Sequence, residues 1–396
     1  MKIRNLLLYV ALSVVTCISL DCIAGGSSVD TIKPGNNLKL KEVKLFTVPA
    51  GPKSLRFTRD GKYVVVNCLY AHKVVVIDST TYKTIKTITV PDEPVECGIT
   101  PDNKRVWVSL YNKKSILEID IKSGKILRTV PVGSIPKVVE VSPDGKWVYV
   151  ANWDSGSISV IDAKNGKRVK DVKVGRIPRG VCFTSNGKYA YIAIMGGSTL
   201  AKIDVENDHK VVAQIQVGIN PRHVVINSND TIAYVSNNML GIVTKVDLSK
   251  DKAVATVSVG KNPRTIALSP SSNALFVCNY SSNNLGVVDI SCMKQVAIYS
   301  TRIHPIGVTV SPDGSFVWVS SYRTSSVHVF KTTDSSMNAE DNIKPSTSSC
   351  IPHENTDPLL NNINPVYSYV YNLPQWLRGI AELSGAMARG KNNGRK

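Results

Sequence analysis

Between Pro136 and Val174 the side chains alternate between apolar and polar in short runs. Val138, Val139 and Val141 open the segment; Trp147 to Val150 follow a turn at Asp144-Gly145. Ile158 to Asp162 follow a loop at Trp153 to Gly156, and Val169 to Val174 follow a turn at Lys164-Asn165-Gly166. No 3.6-residue period is present, and each run is bounded by turn-forming residues, so the segment predicts four short antiparallel strands in one sheet. The same pattern then recurs along the chain. Seven prolines (Pro52, Pro94, Pro136, Pro178, Pro221, Pro263 and Pro305) stand 42, 42, 42, 43, 42 and 42 residues apart. Eight residues after each comes a turn pair: Asp60-Gly61, Asp102-Asn103, Asp144-Gly145, Asn186-Gly187, Asn229-Asp230, Ser271-Ser272 and Asp313-Gly314. Most of these suit the left-handed backbone of a tight turn between antiparallel strands. A fixed period of about 40 residues marks a repeat architecture, each unit burying its face against its neighbours.

The ends of the repeat region predict a closed ring. The seventh repeat stops after its third strand, Ser326 to Phe330, and a spare strand, Val43 to Val48, precedes the first proline. That spare strand matches the fourth strand of other repeats, such as Ile88-Thr89-Val90. Pairing the two gives an all-β, seven-bladed β-propeller of four-stranded antiparallel blades over residues 42–331, sealed by an N-terminal strand. Tyr149-Val150-Ala151-Asn152 and Tyr234-Val235-Ser236-Asn237 look like the motif that names the YVTN repeat. Ser142-Pro143-Asp144-Gly145 and Ser311-Pro312-Asp313-Gly314 match its preceding turn, and Val160-Ile161-Asp162 its third strand. The chain resembles the YVTN-type seven-bladed propellers, including the YncE-like exported bacterial proteins. The resemblance spans the repeats and implies the fold. It does not imply one function, because related propellers include surface proteins, binding proteins and some enzymes.

Outside the repeats the composition changes. Lys2 and Arg4 precede an apolar run from Leu6 to Leu20 and small-residue positions at Cys22-Ile23-Ala24, which predicts an export signal over residues 1–24 cleaved after Ala24. A lipid anchor at Cys17 is the alternative. Export implies a periplasmic, cell-surface or secreted protein, with residues 25–41 as an N-terminal extension. After the propeller, residues 332–396 read as a linker rich in Ser, Thr, Asn, Asp and Pro, then a short amphipathic segment. Trp376, Leu377, Ile380, Leu383 and Met387 would share one side of it, followed by Arg389, Lys391, Arg395 and Lys396. Such a segment suits peripheral contact with a membrane surface, a partner, or the propeller's own flank.

The formal net charge is +18, from 48 Lys and Arg against 30 Asp and Glu. The excess favours anionic partners, although lysines on outer strands also deter edge-to-edge aggregation. Of eight cysteines, removal of Cys17 and Cys22 with the signal leaves six. No CxxC, CxxCH or Cys/His cluster occurs, so neither metal nor cofactor is expected, and no disulfide pair stands out. Asp78, Asp120, Asp162, Asp204, Asp247 and Asp289 recur at the end of the third strand and are expected to cap the following turn rather than to catalyse.

The candidate site comes from the face shared by two sets of loops. Directly after the marker prolines stand Lys53, Val95, Lys137, Arg179, Arg222, Arg264 and Ile306, so Lys53, Lys137, Arg179, Arg222 and Arg264 form a cationic ring. Nine residues after the first member of each turn pair stand Leu69, Tyr111, Trp153, Met195, Asn238, Tyr280 and Tyr322, with Tyr70 offset by one. Tyr70, Tyr111, Trp153, Tyr280 and Tyr322 form the aromatic part. Together they suit an anionic ligand or partner: a planar or sugar-like molecule, single-stranded nucleic acid, or an envelope component. Two exposed charges about 8 Å apart repel by only about 0.5 kcal/mol in water, so such a ring can also persist with no ligand. Inside the channel, Arg56, Glu96, Glu140 and His223 are the strongly ionisable members of a variable set. They are the secondary candidates, for acid–base chemistry of a lactonase- or lyase-like propeller. The structural alternative pairs Arg56 with Glu96 or Glu140 in a solvated channel.

Overall fold

The structure is a computed structural model, described over residues 38–334. Twenty-eight strands, β1 (Leu38–Thr47) to β28 (Ser326–Asp334), form seven four-stranded antiparallel sheets. Six blades use four consecutive strands, each starting at a marker proline; in blade 3 these are Pro136–Val141, Trp147–Asn152, Ser157–Asp162 and Arg168–Lys173. The innermost strands of successive blades touch one another around a complete circuit, the Pro305–Val310 strand meeting both the Pro263–Leu268 and the Pro52–Phe57 strands. Blade 7 is completed by β1, which pairs with β28.

That closing ladder is longer than the sequence suggests. It runs from Leu38 opposite Asp334 to Thr47 opposite Ser326, so β1 starts within the expected N-terminal extension and β28 continues into the expected linker. The added length is anchored. Leu40 is buried with Phe276 and Phe330, and its N–H donates to the Tyr299 hydroxyl at 2.9 Å, tying β1 to blade 6. At the seam between blades 7 and 1, the buried Trp318 ring meets Phe46, Phe57 and Tyr82 with centroids 5.6–5.7 Å apart. The export signal, the lipid-anchor alternative and the amphipathic segment lie outside the described residues.

Between blades, the apolar sides of the two middle strands interdigitate. Ile158 and Val160 of blade 3 pack with Ile192 and Ile203 of blade 4 in one of the clusters that fill the spaces between blades. The turns behave as their residues dictate: the second member of all seven turn pairs is left-handed, with φ from 51° at Ser272 to 75° at Gly145 and Gly314. The recurrent aspartates cap. Asp78 accepts from the amides of Thr80 and Thr81, Asp162 from those of Lys164 and Asn165, and Asp247 from those of Ser249 and Lys250. The thiols of Cys68, Cys97 and Cys182 are pushed up to about 12 by burial, as befits packing groups. Cys292 is disulfide-bonded.

The outer strands carry a feature that the alternating pattern conceals. In every blade the ladder of the outermost strand skips one residue: Val43, Ile85, Leu127, Val169, Val212, Val254 and Val296. All seven are exposed. Each is a β-bulge, which kinks the strand and spoils the straight row of donors and acceptors that another strand would need. Lysine is therefore one of two protections on this rim.

Candidate functional site

The innermost strands are bulged as well, at the position that carries the cations. In blade 1, Pro52 faces Cys68 and Ser54 faces Asn67, leaving Lys53 outside the ladder; in blade 5, Pro221 faces Asn237 and His223 faces Ser236, leaving Arg222 outside it. In blade 3, Lys137 and Val138 together fill the interval between the Pro136–Asn152 and Val139–Val150 pairs, which holds Ala151 alone on the partner strand. A bulge re-aims a side chain. Here it helps turn cations from separate blades toward one another at the ring's mouth. The second loop set is stitched to the first by one backbone hydrogen bond per blade, from the residue at the aromatic position to the carbonyl ahead of the proline. Examples are Trp153 N–H to Ile135 O at 3.0 Å, Tyr322 N–H to His304 O at 2.9 Å and Tyr111 N–H to Glu93 O at 2.9 Å. The two loop sets therefore share a face, as the alternation of strand direction predicts.

The cations are not exposed, contrary to the expectation of a solvated ring. Lys53, Lys137, Arg179 and Arg222 are only 6–8% accessible, and water-like shielding does not apply at that depth. The bulge takes the base of these side chains out of the ladder, and at Lys137 and Arg264 an aromatic ring covers the cation. Lys137 Nζ lies 3.8 Å from the Tyr111 ring centroid and 5.6 Å from that of Trp153, while Arg264 sits 4.2 Å over Tyr280, itself stacked on His304 at 4.1 Å. Tyr70 and Tyr322 pair with each other at 5.1 Å. Burial, then Arg179, pushes the Lys53 ammonium well below the ordinary lysine value, with Arg222 and Arg264 adding to the effect and Glu96 opposing it. Burial, then Arg179 and Arg264, likewise works against the charge of Arg222. Cations from blades 1, 4, 5 and 6 thus act on one another.

Below the mouth, the four channel candidates are brought together although their blades are not all neighbours. Arg56 makes a two-point ion pair with Glu140 across blades 1 and 3, both contacts at 2.7 Å. Burial opposes the charge on Arg56, but Glu140 outweighs it and raises the pKa. Glu96 stands 4.0 Å from Lys53. His223 is part-buried; its Nδ1 finds no hydrogen-bond partner, and its pKa falls to about 3 through burial first and then Arg56, Arg179, Arg222 and Lys53. Among the described residues, no group of three His, Cys, Asp or Glu is placed to hold a metal ion.

A seven-bladed ring with a loop-face mouth can belong to many families, and the sequence decides which. Residues 34–183 and 99–257 match the family described as "Lactonase, 7-bladed beta-propeller". The chain belongs to that lactonase family. No curated protein matches this propeller. Among solved structures, this lactonase-family chain is similar to the hydrazine synthase of Kuenenia stuttgartiensis, at 22% identity and a TM-score of 0.67 over 73% of this chain and 97% of that one. It is similar also to the Cps50 (Swd1) β-propeller domain of Myceliophteria thermophila, at 11% identity and a TM-score of 0.65 over 74% and 100%. At these identities the likeness is one of fold.

The lactonase-family mouth also holds strain that no residue pattern announced. Gly51, Ile135, Ile177, Asn220, Asn262 and His304, each just before a marker proline, are left-handed, with φ of 53–73°. That region is hostile to β-branched residues such as Ile135 and Ile177, yet their carbonyls accept the stitching bonds from Trp153 and Met195. Beside them is a cleft of about 420 Å³, lined in part by Trp153, Lys173, Arg176 and Ile177.

His223 is expected to make the propeller acid-sensitive. Its folded pKa lies below the unfolded value, so the unfolded chain binds more protons between pH 6.5 and about 3. Its share of stability is present above pH 6.5 and drains away as pH falls through that window. Partial solvation limits the loss to about 2–3 kcal/mol. Urea midpoints at pH 7, 5.5 and 4 should fall steeply for the native protein and less steeply for His223→Gln; equal slopes would remove His223 from the account.

Proposed function

We propose that this propeller is an exported binding protein that captures a small anion at the axial mouth of its loop face. The observation that carries this reading is the burial of Lys53, Lys137, Arg179 and Arg222, with Arg264 beside them. Glu96 is the carboxylate that acts on both Lys53 and Arg222, while Glu140 is engaged by Arg56. Desolvated like charges are costly, and a bound anion relieves that cost. Single-stranded nucleic acid fits less well. A polymer uses an open trough with free stacking faces, whereas these cations are recessed and Tyr111 and Tyr280 already face Lys137 and Arg264. A compact molecule bearing a carboxylate or phosphate group matches the depth. The YVTN-type motifs and the N-terminal residue pattern support export.

Calorimetry with phosphate, citrate and a fluorescent oligonucleotide tests the proposal. Phosphate or citrate should bind, should weaken as salt rises, and should lose at least about tenfold in affinity in Arg179→Ala. Tight oligonucleotide binding with no response to either small anion would overturn it. A second reading, lactone hydrolysis in the channel, is favoured by the family match. It assigns the cations to the carboxylate product and Glu96 or His223 to moving protons. Turnover of a lactone panel, lost in both Glu96→Gln and His223→Gln, would replace binding with catalysis.

A further inference from the structure

We infer that Lys53 is a carbonyl-reactive amine that condenses with small α-oxo acids, their carboxylate held by Arg179 and Arg222. The inference rests on the anion-binding reading and adds covalent chemistry to it. Lys53 is the lysine that the blade 1 bulge places in the mouth beside these arginines, with little water around it. Two conditions make a lysine a nucleophile, desolvation and adjacent cations, and both hold here. Glu96, 4.0 Å from the Nζ atom, supplies the third requirement, a group that can accept and return a proton.

The step balances without an oxidant. The neutral Nζ lone pair forms a bond to the carbonyl carbon, and the C=O π pair moves to oxygen. Glu96 carries a proton from the new ammonium to the oxygen, giving a neutral carbinolamine. That hydroxyl leaves as water with the remaining N–H proton, again relayed by Glu96, as the nitrogen lone pair closes the neutral imine. One water leaves for each imine made. Lys137 differs: its Nζ atom is already engaged by the Tyr111 and Trp153 rings.

The test uses the mature full-length chain with glyoxylate and cyanoborohydride at pH 7, followed by peptide mapping. Lys53 should be alkylated at least about tenfold faster than Lys62, whose side chain is 72% exposed. Excess phosphate and Arg179→Ala should each slow Lys53 and leave Lys62 unchanged, and Lys53→Arg should remove the labelled site. Labelling of Lys53 no faster than Lys62 overturns the inference. If phosphate binding persists in that case, the anion site stands without the chemistry; if phosphate binding is absent too, both fail.

Discussion

A chain shortened to begin at Val48, and so lacking β1, is expected to lose cooperative folding. The deletion removes the ladder between Leu38–Thr47 and Ser326–Asp334, exposes one side of β28, and empties the places of Leu40 and Phe46 beside Phe276 and Trp318. Burying two such side chains is worth roughly 1.5–3 kcal/mol each. Opening the ring also frees the pairing between its two ends, so the total approaches the 5–15 kcal/mol that a typical domain possesses. Thermal melts and gel filtration would show a broad transition and aggregation. A peptide of residues 38–47 added in trans should restore part of the transition by mass action. A melting temperature within a few degrees of the intact protein would mean that the seven blades hold together without circular closure.

The second large effect has an unusual sign: Arg222→Met should make the unliganded protein more stable and bind anions far worse. Arg222 is 8% accessible, with Arg179 and Arg264 both acting against its charge. Replacing a buried, poorly compensated ion by an apolar side chain of similar length is neutral or stabilising, here by about 1–3 kcal/mol. Affinity for phosphate should drop by about 10- to 100-fold, the equivalent of roughly 1.5–3 kcal/mol for a charged hydrogen bond. Denaturant midpoints and calorimetry on the same samples separate the two effects. A loss of stability together with a loss of binding would mean that Arg222 supports the blade, not the ligand.

The seven blades, the turn at each Asp-Gly or its equivalent, and the closing strand were legible because each follows from local rules: alternation, turn chemistry and a missing fourth strand. The set of mouth residues was legible too, since strand direction fixes which loops share a face. Their burial was not. An inner bulge after a proline leaves no mark in an alternating pattern, and Lys53 or Arg222 reads as an exposed loop cation until the ladder is seen to skip it. The Arg56–Glu140 pair was one of two readings, and the two-point contact across blades 1 and 3 selects Glu140. The left-handed Ile135 and Ile177 had no sequence signal at all, because a residue before proline ordinarily prefers an extended conformation.

The bulged outer strands bear on how these molecules meet. Val43, Ile85, Leu127, Val169, Val212, Val254 and Val296 interrupt the circumference once per blade. Two copies colliding sideways find no continuous hydrogen-bonding seam, so crowding does not seed fibres through the blades. The open approaches to the ring are thereby its two faces, one of which holds Lys53, Lys137, Arg179 and Arg222.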